Sequence, residues 1–133
     1  VWVTGKPADW YERDAEGNTT YTADWSDTAN LNYENKEVWK GMSDAMHFWM
    51  ERGIDGFRCD MVELVPPEFM TWLISEIKAK HPNVIFIAEV YKKELYWEYV
   101  RNVGFDFLYD KSAGEHVFSK TLAEHNKWAN KLG

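Results

Sequence analysis

Residues 56–63 read Gly-Phe-Arg-Cys-Asp-Met-Val-Glu (GFRCDMVE). With the preceding Ile54-Asp55 they form a short, mostly apolar run that predicts a strand over residues 54–61. Yet the run carries Arg58 and Asp60. Unpaired charges are costly to bury, so this strand holds a pair with a reason to be there. Side chains two apart on a strand share a face, so Arg58 and Asp60 point the same way. A neighbouring cation favours the ionised form of a carboxylate, and an ionised carboxylate is what a nucleophile requires.

A second run, Val84-Ile85-Phe86-Ile87-Ala88-Glu89-Val90, is continuously apolar except for Glu89. It predicts a strand buried on both faces. Partial burial of Glu89 would favour its protonated form, as a general acid needs. Between the two strands, Phe69, Leu73 and Ile77, with Met70 and Ile74 beside them, predict an amphipathic helix over residues 67–80. Pro67 suits its first turn, and His81-Pro82 ends it.

The same alternation extends outward. Val38, Met42, Ala45, Met46 and Trp49 predict a helix over 36–52, capped by Asn35 and stopped by Gly53. Residues 92–102 predict a helix closed near Gly104. Residues 105–109 (FDFLY) predict a third strand. Phe118, Leu122, His125, Ala129 and Leu132 predict a last helix over 114–132. Strands alternating with helices argue for an α/β fold with parallel strands and right-handed crossovers. Strand ends at the C-terminal edge of such sheets face the active site. If the first two strands are neighbours, their ends lie about 4.8 Å apart, close to the 5–5.5 Å or so between the carboxyls of a retaining glycosidase. The bland reading is a structural Arg58–Asp60 pair with Glu89 as a cap. Asp106 and Asp110, flanking the third strand, read as turn, capping or rim residues.

Residues 1–36 are irregular and aromatic, with a turn signal at Asp14–Asn18 (DAEGN). Eight tryptophans and 17% aromatic residues fit either a Trp-rich core or stacking on sugar rings. Trp10, Trp25, Tyr33 and Tyr91 are the candidate stacking residues. The net charge is −7, and no basic run exists, so no nucleic-acid footprint is present. The single cysteine, Cys59, permits no internal disulfide and no Cys-based zinc site; one thiol does not fix a compartment. No stretch of about 18 apolar residues occurs, so no membrane span is expected. The length of 133 residues suits one domain, with 1–36 as loops of the active-site face and 37–133 as βα units.

GIDGFRCDMVE followed by FIAEVY resembles two ordered sequence blocks of the α-amylase family of glycoside hydrolases (family 13). ADWSDTANLNYENKEVW and DWYERDAEGN look like upstream segments of the same family, so the likeness runs over residues 8–111. It implies a partial (β/α)8 TIM barrel of about three strands. It further implies Asp60 as nucleophile, Arg58 as the residue that orients and ionises it, and Glu89 as acid/base, on an α-glucan such as starch or a maltooligosaccharide. Hydrolysis of α-1,4 bonds is the implied reaction; a transglycosylase or α-glucosidase would share every block. Many members carry a Lys-His pair where Glu63 and Leu64 stand. Glu63 is therefore a candidate substrate contact of altered kind, and no calcium, other metal or cofactor is expected from this chain. The family's third catalytic carboxylate, in an Asn-His-Asp triplet, has no counterpart in residues 112–133; His116 and His125 read as helix-surface or core residues. By length the chain resembles the middle of a barrel, whose edges the remainder of that barrel or a homo-oligomer would cover. A different class, a non-catalytic glycan- or protein-binding module derived from the family, would fit the missing carboxylate.

Overall fold

The computed structural model describes residues 8–110. The expected helix over 114–132, with His116 and His125, lies outside the described residues, as do residues 1–7. Helix α1 (Lys36–Met50) leads into strand β1 (Gly56–Cys59), helix α2 (Pro67–Lys80), strand β2 (Ile85–Val90) and strand β3 (Phe107–Asp110). The three strands form one parallel sheet in the order β1-β2-β3. Arg58 pairs with Ile87 and Cys59 with Ala88, while Ile87 pairs with Phe107.

Helices α1 and α2 form where the sequence places their signals. The Asn35 side chain accepts from the Glu37 N–H and caps α1, satisfying one of the donors a helix start leaves open. Val38, Met42, Met46 and Met50 make the inward row, with Val38 buried. Ala45 and Trp49, expected on that stripe, are exposed instead. The i, i+4 row carries the packing, and the two lie outside it. Phe69, Met70, Leu73, Ile74 and Ile77 of α2 are all buried, packed against Phe86, Ala88 and Val90 of β2.

Between β2 and β3 the expected regular helix over 92–102 is broken. A 3-10 turn (Lys93–Leu95) passes into one α turn (Tyr96–Glu98) and then a π turn (Tyr99–Val103). The widened turn lets the Gly104 N–H reach the Tyr99 carbonyl. Tyr96, Tyr99 and Val103 are all buried while Val100 is not. The Tyr99 hydroxyl then donates to the Val62 carbonyl at 3.2 Å, tying this segment to the turn after β1.

The sheet has two unlike faces. Phe57, Phe86 and Ala88 face the helices, with the Phe57 and Phe86 rings 5.6 Å apart. The expectation that β2 is covered on both faces is not met among the described residues. Ile85 and Phe107, on the opposite face, are 40% and 58% exposed. That open face carries Arg58, Asp60 and Glu89. A parallel strand with a half-open face is what one segment of a closed barrel shows before its other strands are added.

Asp106 has a structural role, in line with its reading as a turn or capping residue. It accepts from the Phe86 N–H at 2.9 Å and pairs with Lys78 at 2.7 Å. Desolvation pushes its carboxyl up, but the Lys78 ammonium and the Phe86 N–H together hold it below its ordinary value. The start of β1 is equally constrained. A Cβ at Gly56 would run into the backbone carbonyl oxygen of Ile85 on the neighbouring strand. Backbone cannot move aside as a flexible side chain can. Gly56→Ala should therefore cost about 2–3 kcal/mol of stability, read as a lowered denaturant midpoint; an unchanged midpoint would show that the β1–β2 spacing yields enough to admit a methyl group.

Candidate active site

Asp60 follows β1 directly, and Glu89 is the penultimate residue of β2. Continuing the β1–β2 register by one residue sets Asp60 beside Glu89. Arg58 lies between them on the open face. One guanidinium nitrogen pairs with Asp60 Oδ1, and the other lies 2.6 Å from Glu89 Oε2. Hydrogen bonds to the two ends of one guanidinium hold the two carboxylate oxygens within about 8 Å of each other.

The two carboxylates have opposite environments. The Glu89 side chain is only 2% exposed, whereas that of Asp60 is 72% exposed. Glu89 is satisfied from three directions. Besides Arg58, the Met61 N–H donates to Oε2 at 3.2 Å, and the Tyr91 hydroxyl lies 3.1 Å from Oε1. Glu89 is thus more deeply buried than expected and is held by donors as well as by apolar neighbours. The Met61 contact depends on an uncommon backbone. Met61 adopts φ 42, ψ 41, a left-handed conformation that non-glycine residues rarely hold without a compensating interaction. It turns the chain so that the N–H after Asp60 faces Glu89. Nothing in the residue types signals this. Cys59, pointing to the helix face, is buried enough that its thiol is pushed up to about 11, against a smaller opposing pull from Arg58. It is a packed thiol, not a nucleophile.

Beside Asp60 the N-terminal loops form an open groove of about 1430 Å³ whose lining includes Tyr11, Trp25, Asn30, Tyr33, Trp39 and Asp60. The loops are pinned by antiparallel bridges, Tyr11 with Leu31 and Arg13 with Thr19. The turn at Asp14 closes through its own side chain, which accepts from the Glu16 and Asn18 N–H groups.

The candidate aromatics divide. Trp25, 39% exposed, lies in the groove wall. Tyr33 also lines it, with its ring 4.8 Å from that of Phe69. Burial, and secondarily the charge of Glu12, pushes the Tyr33 hydroxyl above its ordinary value. Trp10 is placed elsewhere: its indole N–H reaches Glu37 at 3.3 Å, and its ring lies over Gly41 of α1. Tyr91 is beside Glu89, not along the groove wall. Glu63 accepts the N–H groups of both Tyr91 and Lys92 at 3.2 Å. Asp110 ends β3. Among the described residues, no group of three or more His, Cys, Asp or Glu side chains is placed to hold a metal ion, and no helix is long and apolar enough to cross a membrane.

Parallel strands with carboxylates gathered at adjacent C-terminal strand ends have the arrangement of one part of an α/β barrel. The alpha-amylase catalytic-domain profile matches residues 4–108, and the chain belongs to that family. Among curated relatives, an alpha-1,4-glucan:maltose-1-phosphate maltosyltransferase of Rhodospirillum rubrum is 30% identical over 115 residues, covering 81% of this chain and 17% of the relative. A trehalose-6-phosphate hydrolase of Bacillus subtilis is 60% identical over 37 residues, 28% of this chain and 7% of the relative. Among solved structures, an alpha-amylase from Lactobacillus plantarum matches with a TM-score of 0.59 and 33% identity, covering 72% of this chain and 22% of that one. The chain therefore spans less than a quarter of the length of each of these proteins. Its three strands and flanking helices are part of an amylase-type barrel.

Proposed function

We propose that this chain carries the nucleophile and the acid/base of a retaining enzyme that cleaves α-1,4-glucosidic bonds of starch-like glucans or maltooligosaccharides, within a single catalytic domain. The observation that supports the reading is the guanidinium of Arg58 set between Asp60 and Glu89, in a chain of the alpha-amylase family. Asp60, open to the groove, attacks the anomeric carbon. The bond to the leaving oxygen breaks as Glu89 gives that oxygen its proton, leaving a glycosyl ester on Asp60. Glu89, now ionised, takes a proton from the incoming acceptor, which displaces Asp60 with a second inversion. The net outcome is retention.

Glu89 must hold its proton in the first step and lose it for the second. Oε2 is occupied by Arg58 and the Met61 N–H, so the proton sits on Oε1, where the Tyr91 hydroxyl can accept instead of donate. The open groove with Trp25 and Tyr33 suits a chain of sugar rings, with aromatic faces for stacking. Trp10, whose indole N–H reaches Glu37, and Glu63, whose Oε2 holds two backbone N–H groups, fit supporting roles better than sugar contact.

The identity of the acceptor separates two chemistries that share these residues. Water gives hydrolysis. A sugar hydroxyl gives transfer, a reading favoured by the likeness to a maltosyltransferase. Incubating the intact protein with maltoheptaose and following the products distinguishes them. Hydrolysis raises the number of reducing ends with each turnover; transfer leaves it constant while longer chains appear. Absence of both would overturn the enzymatic reading and favour a glycan-binding module.

A further inference from the structure

Glu63 lies two residues beyond the left-handed Met61, in the 3-10 turn Val62–Leu64. It reaches across to the neighbouring strand end and accepts the backbone N–H groups of Tyr91 and Lys92 on one oxygen, Oε2, both at 3.2 Å. In the opposite direction, the Met61 N–H donates to Glu89 Oε2. The segment after Asp60 and the segment around Glu89 are thus stitched reciprocally: a carboxylate from each accepts backbone N–H groups of the other. A further tie, from the Tyr99 hydroxyl to the Val62 carbonyl, is buried. Backbone N–H groups just past a strand end have lost their ladder partners, and charge-assisted bonds to a carboxylate are stronger than bonds to a neutral acceptor.

We propose that Glu63 is a positioning residue that sets the proton-donor geometry of Glu89, by fixing the backbone on which Tyr91 and Glu89 sit. This rests on the assignment of Glu89 as acid/base. The chain from Glu63 to the reacting proton is short. Glu63 holds the Tyr91 N–H, the Tyr91 hydroxyl holds Glu89 Oε1, and Oε1 carries the proton to be delivered. A displacement of about 1 Å at such a group is enough to cost on the order of 100-fold in rate.

The test compares Glu63→Gln, Glu63→Asp and Glu63→Ala in the intact protein, with Glu89→Gln alongside. Gln keeps an acceptor oxygen at the right reach without charge, and one amide oxygen can accept two N–H bonds. Asp keeps the charge but is one methylene too short. The proposal expects Glu63→Asp and Glu63→Ala to lose about 10–100-fold in kcat on maltooligosaccharides with little change in KM. It expects Glu63→Gln to lose roughly threefold or less, since only the charge assistance of two bonds is weakened. Glu63→Asp should lose less on an activated aryl α-glycoside than on a glucan, because a good leaving group needs little protonation. A rise in KM with kcat preserved, or Glu63→Gln falling as low as Glu63→Asp, would overturn the proposal and make Glu63 a substrate contact or a charge-dependent group. If Glu63→Ala fails to fold, the Asp and Gln pair carries the comparison. Should Glu89→Gln keep full activity, the acid/base assignment itself fails; should Glu89→Gln collapse while all three Glu63 variants stay unaffected, only the positioning role fails.

Discussion

Asp60→Asn is expected to reduce kcat/KM on maltooligosaccharides by about 10⁴-fold or more, the scale seen when a group that forms the covalent intermediate is removed. The reason is local. Asp60 is the carboxylate exposed to the groove, open for attack on the anomeric carbon. The amide preserves size and can still accept a hydrogen bond from Arg58, so the fold should be kept. It is a far weaker nucleophile, and the glycosyl ester does not form. The measurement is steady-state kinetics beside a thermal melt. A Tm close to that of the unmodified protein with activity lost is the expected pair of results; residual activity of more than a few per cent would contradict the nucleophile assignment.

Glu89→Gln is expected to lose about 10²–10⁴-fold on glucans, the usual contribution of a positioned general acid. The loss should depend on the leaving group. An activated aryl glycoside departs with little need of a proton, so its first step should be much less affected, and the second step, which needs the base, should become limiting. Equal loss on all substrates would count against the acid role. The substitution also changes a buried site in which Oε2 faces Arg58 and the Met61 N–H. If the amide nitrogen takes that place, a donor meets donors; if it points to Tyr91, both Oε2 partners keep an acceptor. The second arrangement is the one expected, and it predicts only a modest loss of stability, about 1–2 kcal/mol, read from the same melts.

The fold was legible because βα units announce themselves locally. The apolar run of β2, the Phe69–Leu73–Ile77 stripe of α2 and the Asn35 cap each need only their own segment. The pairing of Arg58 with Asp60 was equally legible, since it follows from period-two geometry on one strand. What escaped depends on contacts between segments. The π turn over Tyr99–Val103, in which the Gly104 N–H meets the Tyr99 carbonyl, has no signal in its residues, which alone spell an ordinary amphipathic helix. The left-handed Met61 carries no glycine to betray it. Glu63, read as a sugar contact, is turned toward backbone N–H groups 28 and 29 residues away, a choice that periodicity does not see, while Tyr91 turns its hydroxyl to Glu89, two residues back. Trp10 was placed by Gly41, where the missing side chain on α1 leaves room for the indole.

The glycosyl ester on Asp60 can be trapped and located. A fluorinated maltosyl fluoride, whose fluorine slows the second displacement more than the first, is mixed with the intact protein, and the digest is read by mass spectrometry. One stoichiometric glycosyl addition is expected on the peptide containing residues 56–63, located on Asp60 by fragmentation and abolished in Asp60→Asn. A label on another carboxylate, or turnover that releases the inverted anomer with no label at all, would contradict it.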